Sequence, residues 1–408
     1  MKKKLTLILH KDENLNPNRF LLRYKKNLNI HGYITTNNKS LWSEKKLSIE
    51  EAVLALKDPS TVIITFDKYD GTSNFKIEGL PLLKIFENFI PFELLNCNSF
   101  IDFSLINIMD EDSISKLFIH LKDSGKKLAI INGNCQTKAL SLYIRTNKDF
   151  SSKYILIGIP LIHESGSYDK NKLINVIRNV DLIITQNISD NNKHNPILST
   201  NSLKKHASPH CEIVTISNLL FSGYFPQLVK IERLKRLQFK RSPLFPYVDY
   251  NLDNAFLQKT EKTILNDIKR IDFYDRQYVL DYFNEQLNIL TTREKDLDIP
   301  MIDVIKAHAH KEVCFYAFNH PKLFLIEILA NRLLVFLGLP KQTFWPNINY
   351  SIDNQSQIIY PSVLNALGLP WDDSTLLYIN QTLYPDRVSF DEYVEIYLNS
   401  LNIAKNEK

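Results

Sequence analysis

Leu128-Ala129-Ile130-Ile131-Asn132-Gly133-Asn134-Cys135-Gln136 decides how this chain is read. A short apolar run, entered through Gly125-Lys126-Lys127, stops at a tight Gly-Asn-Cys turn, and Thr137-Lys138-Ala139-Leu140-Ser141-Leu142-Tyr143-Ile144 continues at helical spacing. The pattern predicts a strand, a turn and a helix. Gly133 lets the backbone turn without a Cβ clash. The helix start offers unpaired N–H groups and the positive end of a dipole beside the sulfur of Cys135. A thiol so placed loses its proton more readily and becomes a usable nucleophile. The competing reading is a small cysteine packed at a strand end.

Working outward, the strand pattern repeats. Lys127–Ile131, Tyr154–Ile159, Asp181–Thr185 and Glu212–Ile216 are predicted strands, with helices at Thr137–Ile144 and Leu173–Asn179 between them. Near-continuous apolar runs such as Tyr154–Ile159 are what the central strands of a parallel sheet require. Upstream, Leu5–Leu9, Ile30–Thr35, Thr61–Phe66 and Ser99–Phe103 read as strands, and Ser48–Lys57 and Leu82–Phe89 as helices. Ile114–Lys122 is a helix joining the two blocks. From residue 241 the pattern turns helical, at Thr260–Ile271, Gln277–Ile289 and Ile302–His310. Glu312–Phe318 is strand-like, and Lys322–Leu337 is an apolar helix ending at Gly338. The fold class is therefore α/β: a parallel-sheet core with helical C-terminal additions and a small N-terminal α/β domain. The expected division is 1–122 as an accessory domain, 123–240 with 300–340 as the core, 241–299 as a helical insertion, and 341–408 as an aromatic, Pro-rich extension.

Composition narrows the function. A chain of 408 residues, 44% hydrophobic, exceeds one ordinary core and suits two or three domains. No apolar run reaches the length of a membrane span. Lys2-Lys3-Lys4 precedes an apolar core only five residues long before His10, which is too short for a signal peptide. Cys97, Cys135, Cys211 and Cys314 are scattered and contain no CxxC pair, which points to a reducing, cytoplasmic setting. The net charge of +5 and the absence of a recognisable module argue against nucleic acid. Lys230, Arg233, Lys235, Arg236, Lys240 and Arg241 crowd twelve residues against Glu232 alone, a pattern that suits either a phosphate-binding face or a solvated helix. His308, His310, Glu312 and Cys314 invite a metal reading, but the helix-to-strand change between them breaks the geometry, and no metal is expected.

Further stretches gain meaning beside the cysteine turn. Val180–Asn187 ends a strand in the amide pair Gln186-Asn187. Asn218-Leu219-Leu220-Phe221-Ser222-Gly223-Tyr224-Phe225-Pro226 is an aromatic loop, and Phe318-Asn319-His320-Pro321 precedes the apolar helix. In this order and spacing they resemble the WcbI-type family of capsular polysaccharide biosynthesis proteins, regarded as acetyltransferases that bind coenzyme A. The resemblance covers roughly residues 125 to 370. That family is similar in layout to SGNH-type (GDSL) hydrolases and acyltransferases, in which a nucleophile follows the first strand and a His-Pro pair precedes the last helix.

The resemblance implies an acetyl-CoA-dependent O-acetyltransferase acting on a sugar of a capsular or other surface polysaccharide or its precursor. Cys135 and His320 would be catalytic, and Gly133, Asn134, Gln136, Gln186, Asn187 and Asn319 would bind oxyanion or substrate. Ser222, Gly223, Tyr224, Lys230 and Arg233 would hold the cofactor, coenzyme A or acetyl-CoA. Proteins of polysaccharide assembly are the implied partners. The hydrolase pattern has an aspartate three residues before the histidine, where this chain has Ala317. Either Asn319 or a backbone carbonyl must then orient the imidazole, a lighter demand for a thiol than for a serine. An SGNH-like deacetylase or thioesterase, and a non-catalytic CoA- or carbohydrate-binding component, remain alternatives.

Overall fold

Lys127–Asn132 forms a strand that is buried from Leu128 onward, as its unbroken apolar run requires. In this computed structural model the described residues are 4–9, 29–35, 62–65, 100–103, 106, 111–229 except 124, 245, 247–342 and 355–406 except 373, 381 and 382. The chain divides into two compact units, 1–132 with 144–213, and 133–143 with 214–408. The boundary falls inside the cysteine turn and cuts the helix that follows. It does not coincide with the divisions at 122, 240, 299 and 340 expected from the order of predicted elements.

In the first unit, β1 (Lys4–Leu9) pairs in parallel with both β2 (Asn29–Thr35) and β3 (Val62–Thr65), giving the order β2-β1-β3. The helices expected at Ser48–Lys57 and Leu82–Phe89 lie outside the described residues. A second sheet takes β4 (Phe100–Asp102), β5 (Lys127–Asn132), β6 (Tyr154–Gly158), β7 (Leu182–Gln186) and β8 (Glu212–Ile216) in the order β4-β6-β5-β7-β8. The pairs β4–β6, β5–β6 and β5–β7 are all parallel. The chain builds outward from β5 in one direction to β6 and then in the other to β7. The Gly133 turn therefore leaves β5 where the strand order reverses, the position at which open α/β sheets bind ligands.

Side chains of β5, β6 and β7 pack with helices Glu111–Asp123 and Lys170–Asn179 in one apolar cluster, in which Leu128, Ile130, Ile157, Leu173, Val176 and Ile183 are fully buried. Each such side chain contributes about 1.5–3 kcal/mol on burial. Polar groups close the strand ends: Asp181 accepts from the Leu128 N–H at 2.8 Å, and Asn132 donates to Thr185 and to the Leu198 carbonyl. The expected α/β class with a parallel sheet is thus observed.

The second unit is mainly helical. Arg276–Glu294 buries Val279, Phe283, Leu287 and Leu290 along one face. The apolar helix Leu323–Phe336 ends as expected at Gly338, whose positive φ of 68° permits the Gly338 and Leu339 N–H groups to close on Val335 and Leu334. The stretch after 340 is more regular than an extension rich in proline suggests. It holds a helix at Pro361–Leu367, a hairpin of Leu377–Asn380 with Tyr384–Val388, and a long helix at Phe390–Asn406. That last helix buries Tyr393, Val394, Tyr397, Leu398 and Leu401, a stripe at three- and four-residue spacing. Glu312–Phe318 shortens to a strand at Phe315–Ala317, paired with His320–Pro321. Among the described residues, no helix is long and apolar enough to cross a membrane.

Candidate functional site

Asn134 organises the cysteine turn. Its side-chain oxygen accepts from the Gln136 N–H at 3.0 Å, its carbonyl accepts from Thr137, and its amide donates to Asn218 at 3.0 Å. This caps the helix Gln136–Thr146 and leaves Cys135 as the residue just ahead of its first turn, half-buried and not in a disulfide. A half-buried thiol at that position keeps access to solvent while facing the positive end of the helix dipole.

Gln136 is the joint of the site. Its buried side-chain amide donates to the carbonyls of Leu219 at 2.8 Å and Asn319 at 2.9 Å, and its oxygen accepts from the Leu219 N–H at 3.1 Å. One side chain thus ties the residue next to Cys135 to the residue next to His320, although the two candidates are far apart in sequence. The aromatic loop is held there too: Phe221 donates to the Phe318 carbonyl at 2.7 Å, and Arg293 donates to the Leu220 carbonyl at 2.6 Å.

His320 is buried, at 7% exposure, and its Nδ1 lies 2.9 Å from the Gln355 carbonyl. A carbonyl only accepts, so Nδ1 carries the proton and Nε2 is left with its lone pair. The imidazole is therefore oriented by a backbone carbonyl, one of the two routes expected in the absence of an aspartate at position 317. Burial lowers its pKa below the usual 6.5, against a smaller raising effect of the Gln355 carbonyl. The ring is neutral at pH 7, as a proton acceptor must be.

Asn319 follows the other route to a different end. Its side-chain oxygen accepts from the Tyr247 hydroxyl at 2.9 Å. Burial pushes the Tyr247 phenol up to about 12; the bond to Asn319 opposes this, and the charge of a nearby Cys135 thiolate adds to it. Cys135, Tyr247, Asn319 and Gln136 accordingly share one neighbourhood, with His320 next along the chain. Tyr247, Asn218, Arg293 and Gln355 are the members that sequence reading missed. Asn218 heads the aromatic loop that drew attention, but Tyr247 lies in Pro246-Tyr247-Val248, where no periodicity marks a site.

Other expected site residues fall elsewhere. Gly133 is buried in the turn. Gln186 and Asn187 belong to the first unit: Gln186 is buried, its carbonyl accepting from Thr185 and Thr200, and Asn187 is exposed. Ser222 donates to Gln286 at 2.7 Å. Two cofactor contacts need correction. Tyr224 is fully buried, edge-on to Phe221 and Phe283, and its hydroxyl meets the carbonyls of Ala309 and Glu312, so its polar end is used inside the core. Gly223 makes room for those rings rather than for a ligand, because a Cβ there would lie 2.4 Å from Phe221 and 2.9 Å from Phe283. Lys230 and Arg233 lie outside the described residues. Among the described residues no three His, Cys, Asp or Glu side chains gather as a metal site; His308 pairs with Glu312, at 3.0 Å, and its ring packs against Phe324.

A family model described as polysaccharide biosynthesis enzyme WcbI matches residues 128–342, more than half of the chain. The chain is also similar to a solved structure of WcbI, described as a novel polysaccharide biosynthesis enzyme, in its native form without a disulfide bond between CoA and a cysteine. The TM-score is 0.59 and the identity 18%, over 68% of this chain and 90% of that one, a likeness of fold. No curated protein matches.

Proposed function

This chain belongs to the WcbI family of polysaccharide biosynthesis enzymes, and on that premise we propose that it transfers an acyl group from acetyl-CoA to a sugar hydroxyl of a surface polysaccharide or its precursor, in the cytoplasm. The observation that carries this reading is the Gln136 bridge, which joins the Cys135 turn to Asn319 beside a neutral, oriented His320. The reading is further supported by the solved WcbI structure, whose description names CoA and a cysteine, in a form without a disulfide bond between them.

The residues present suit a thioester partner. Cys135 offers a half-buried sulfur at a helix start, flanked by the Asn134 amide, which is bonded to Asn218, and near the Tyr247 hydroxyl, which is bonded to Asn319. In the proposed cycle Cys135 attacks the thioester carbonyl as thiolate, its proton having passed to His320 Nε2, and the developing oxyanion takes hydrogen bonds from preset donors. His320 returns that proton to the departing CoA sulfur. It then removes the proton of the sugar hydroxyl as that oxygen attacks the acyl-cysteine, and the Cys135 sulfur leaves. A cysteine needs less activation than serine, so a carbonyl-oriented histidine suffices.

Calorimetry of the purified full chain against CoA and acetyl-CoA tests the co-substrate. Incubation with radiolabelled acetyl-CoA tests the chemistry. Saturable binding and a hydroxylamine-labile label that disappears in Cys135→Ala are the expected results. No heat with either ligand would remove the acyltransferase reading, and acetate release without an acceptor would move it to a hydrolase.

A further inference from the structure

The residue that orients His320 comes from the C-terminal part of the chain. Gln355, whose carbonyl lies 2.9 Å from the His320 Nδ1, stands beyond the family-matched residues 128–342. It opens a segment, 355–360, that leads into the helix Pro361–Leu367. Ser356, Gln357, Ile358 and Tyr360 are buried, so their polar groups need partners within the protein. The Gln357 N–H donates to the Tyr316 carbonyl at 2.8 Å, and Tyr316 belongs to the strand Phe315–Ala317 that pairs with His320–Pro321. The Ser356 N–H donates instead to the Tyr378 carbonyl at 2.7 Å, on the C-terminal hairpin. Successive N–H groups thus bond different elements, and the segment is a strap that joins the His320 hairpin to the C-terminal one.

Side chains lock the strap in place. The Tyr393 hydroxyl, on the helix Phe390–Asn406, donates to the Gln357 side-chain oxygen at 3.0 Å. The Gln227 amide donates to the Ile358 carbonyl at 2.8 Å, and the Tyr360 hydroxyl donates to Asp249 at 2.9 Å. Burial, with the charge of Asp249, raises the Tyr393 pKa above its usual 10 against the opposing bond to Gln357, so this hydroxyl keeps its proton and stays a donor.

We infer that Gln357 and Tyr393 are positioning residues for His320: through the strap they fix where the Gln355 carbonyl stands, and so which imidazole nitrogen carries the proton. A hydrogen bond to a carbonyl weakens steeply as its alignment is lost. A strap free to shift would therefore release Nδ1, and with it the tautomer that leaves the Nε2 lone pair open. The strap plays the part that a buried aspartate plays in a serine–histidine–aspartate triad. This inference rests on the proposed role of His320 as proton acceptor and deepens it, by making the C-terminal hairpin and helix part of how the site is built.

The test is nitrogen NMR of the full chain isotope-labelled at histidine, at pH 8, with the His320 ring assigned by its loss in His320→Asn. Wild type is expected to show Nδ1 protonated and Nε2 unprotonated. Gln357→Leu removes the oxygen that Tyr393 holds, and the Nδ1 signal is expected to shift toward its unprotonated position as the Nε2–H tautomer gains population. Should Gln357→Leu fail to fold, Tyr393→Phe removes the same bond by the loss of one hydroxyl and is expected to give the same shift. Leu401→Ala weakens the packing of the same helix without touching that bond; it is expected to lower the melting temperature and leave the signal in place. A wild-type ring protonated at Nε2, a folded variant lacking the Gln357–Tyr393 bond yet keeping the wild-type signal, or an equal shift in Leu401→Ala overturns the inference. The two readings fail separately: the shift in Gln357→Leu with no heat against acetyl-CoA keeps the strap and removes acyl transfer, and acetyl-CoA binding with no shift does the opposite.

Discussion

Gln136 is the residue on which the site's architecture depends. A buried primary amide has two donor hydrogens and two acceptor lone pairs, and here both donors and one acceptor are engaged, on Leu219 and Asn319. Leaving a buried polar group without its partner costs about 1–3 kcal/mol. Gln136→Leu strands two carbonyls and one N–H at once, so it is expected to lower stability by several kcal/mol. It should also loosen the Phe318–His320 turn relative to Cys135. Gln136→Glu keeps the shape but, once ionised, turns a carboxylate toward two carbonyl oxygens. Its melting temperature should therefore fall further below wild type at pH 8 than at pH 5. Thermal unfolding of both variants at the two pH values checks this; if Gln136→Leu melts with wild type, the clamp is not structural.

At the scale of elements, the loop Asn218–Pro226 acts as a wedge rather than a pocket wall. Phe221 and Tyr224 are fully buried and meet Phe283 at 5.2 and 5.6 Å between ring centroids. Gly223 fits between them only because it lacks a Cβ. Gly223→Ala forces a methyl into two packed rings, an overpacking cost of about 1–3 kcal/mol. The expected outcome in urea unfolding is a lower midpoint with an unchanged slope; an unchanged midpoint would mean the rings shift freely. The same loop shows what sequence could and could not reveal. The β5 run and its Gly133 turn were readable because a strand buried on both faces must be continuously apolar and must end abruptly. The helices at 170–179, 276–294 and 323–336 were readable from periodicity, apart from one to five residues at their ends. An aromatic loop with a glycine has no such constraint, since a pocket and a core use the same residues, and only tertiary packing assigned Tyr224 to the core. The helix Phe390–Asn406 was legible in principle, through Phe390, Tyr393, Val394, Tyr397, Leu398 and Leu401. The prolines and tryptophans before it account for the description of this stretch only as an aromatic, Pro-rich extension. Tyr247 and Gln355 enter the site from irregular chain, where no local pattern specifies a partner distant in sequence.

At the scale of the whole molecule, two buried titratable groups make the pH dependence of stability testable. Asp249 is buried and accepts from the Asn251 and Leu252 N–H groups and from the Tyr360 hydroxyl at 2.9 Å, capping the helix Tyr250–Phe256. Its own N–H donates to the Tyr397 hydroxyl, which in turn donates to Asp253. Burial pushes the Asp249 carboxyl up to about 7 from 3.8; hydrogen bonds from Leu252, Tyr360 and Asn251 oppose this, and the charge of Asp253 adds to it. Between those two pH values the folded chain holds more protons than the unfolded one, so the stability that this group contributes falls as pH rises through the window, by at most about 1.4 kcal/mol per pH unit. His320 has the opposite sign. Its pKa is lowered in the fold, so its contribution is present above the unfolded value of 6.5 and is lost as pH falls toward the folded one. The two slopes oppose each other just below pH 6.5. Asp249→Asn keeps an oxygen to cap the helix but removes the titration. The melting temperature of Asp249→Asn relative to wild type should therefore climb steadily from about pH 4 to pH 7 and then level off, whatever its offset at the acid end. The remaining curve should rise toward pH 6.5 under His320 alone, and His320→Asn in the same background should flatten it. Parallel melting curves for wild type and Asp249→Asn across that range would mean that Asp249 is ionised in the folded protein as readily as in the unfolded chain.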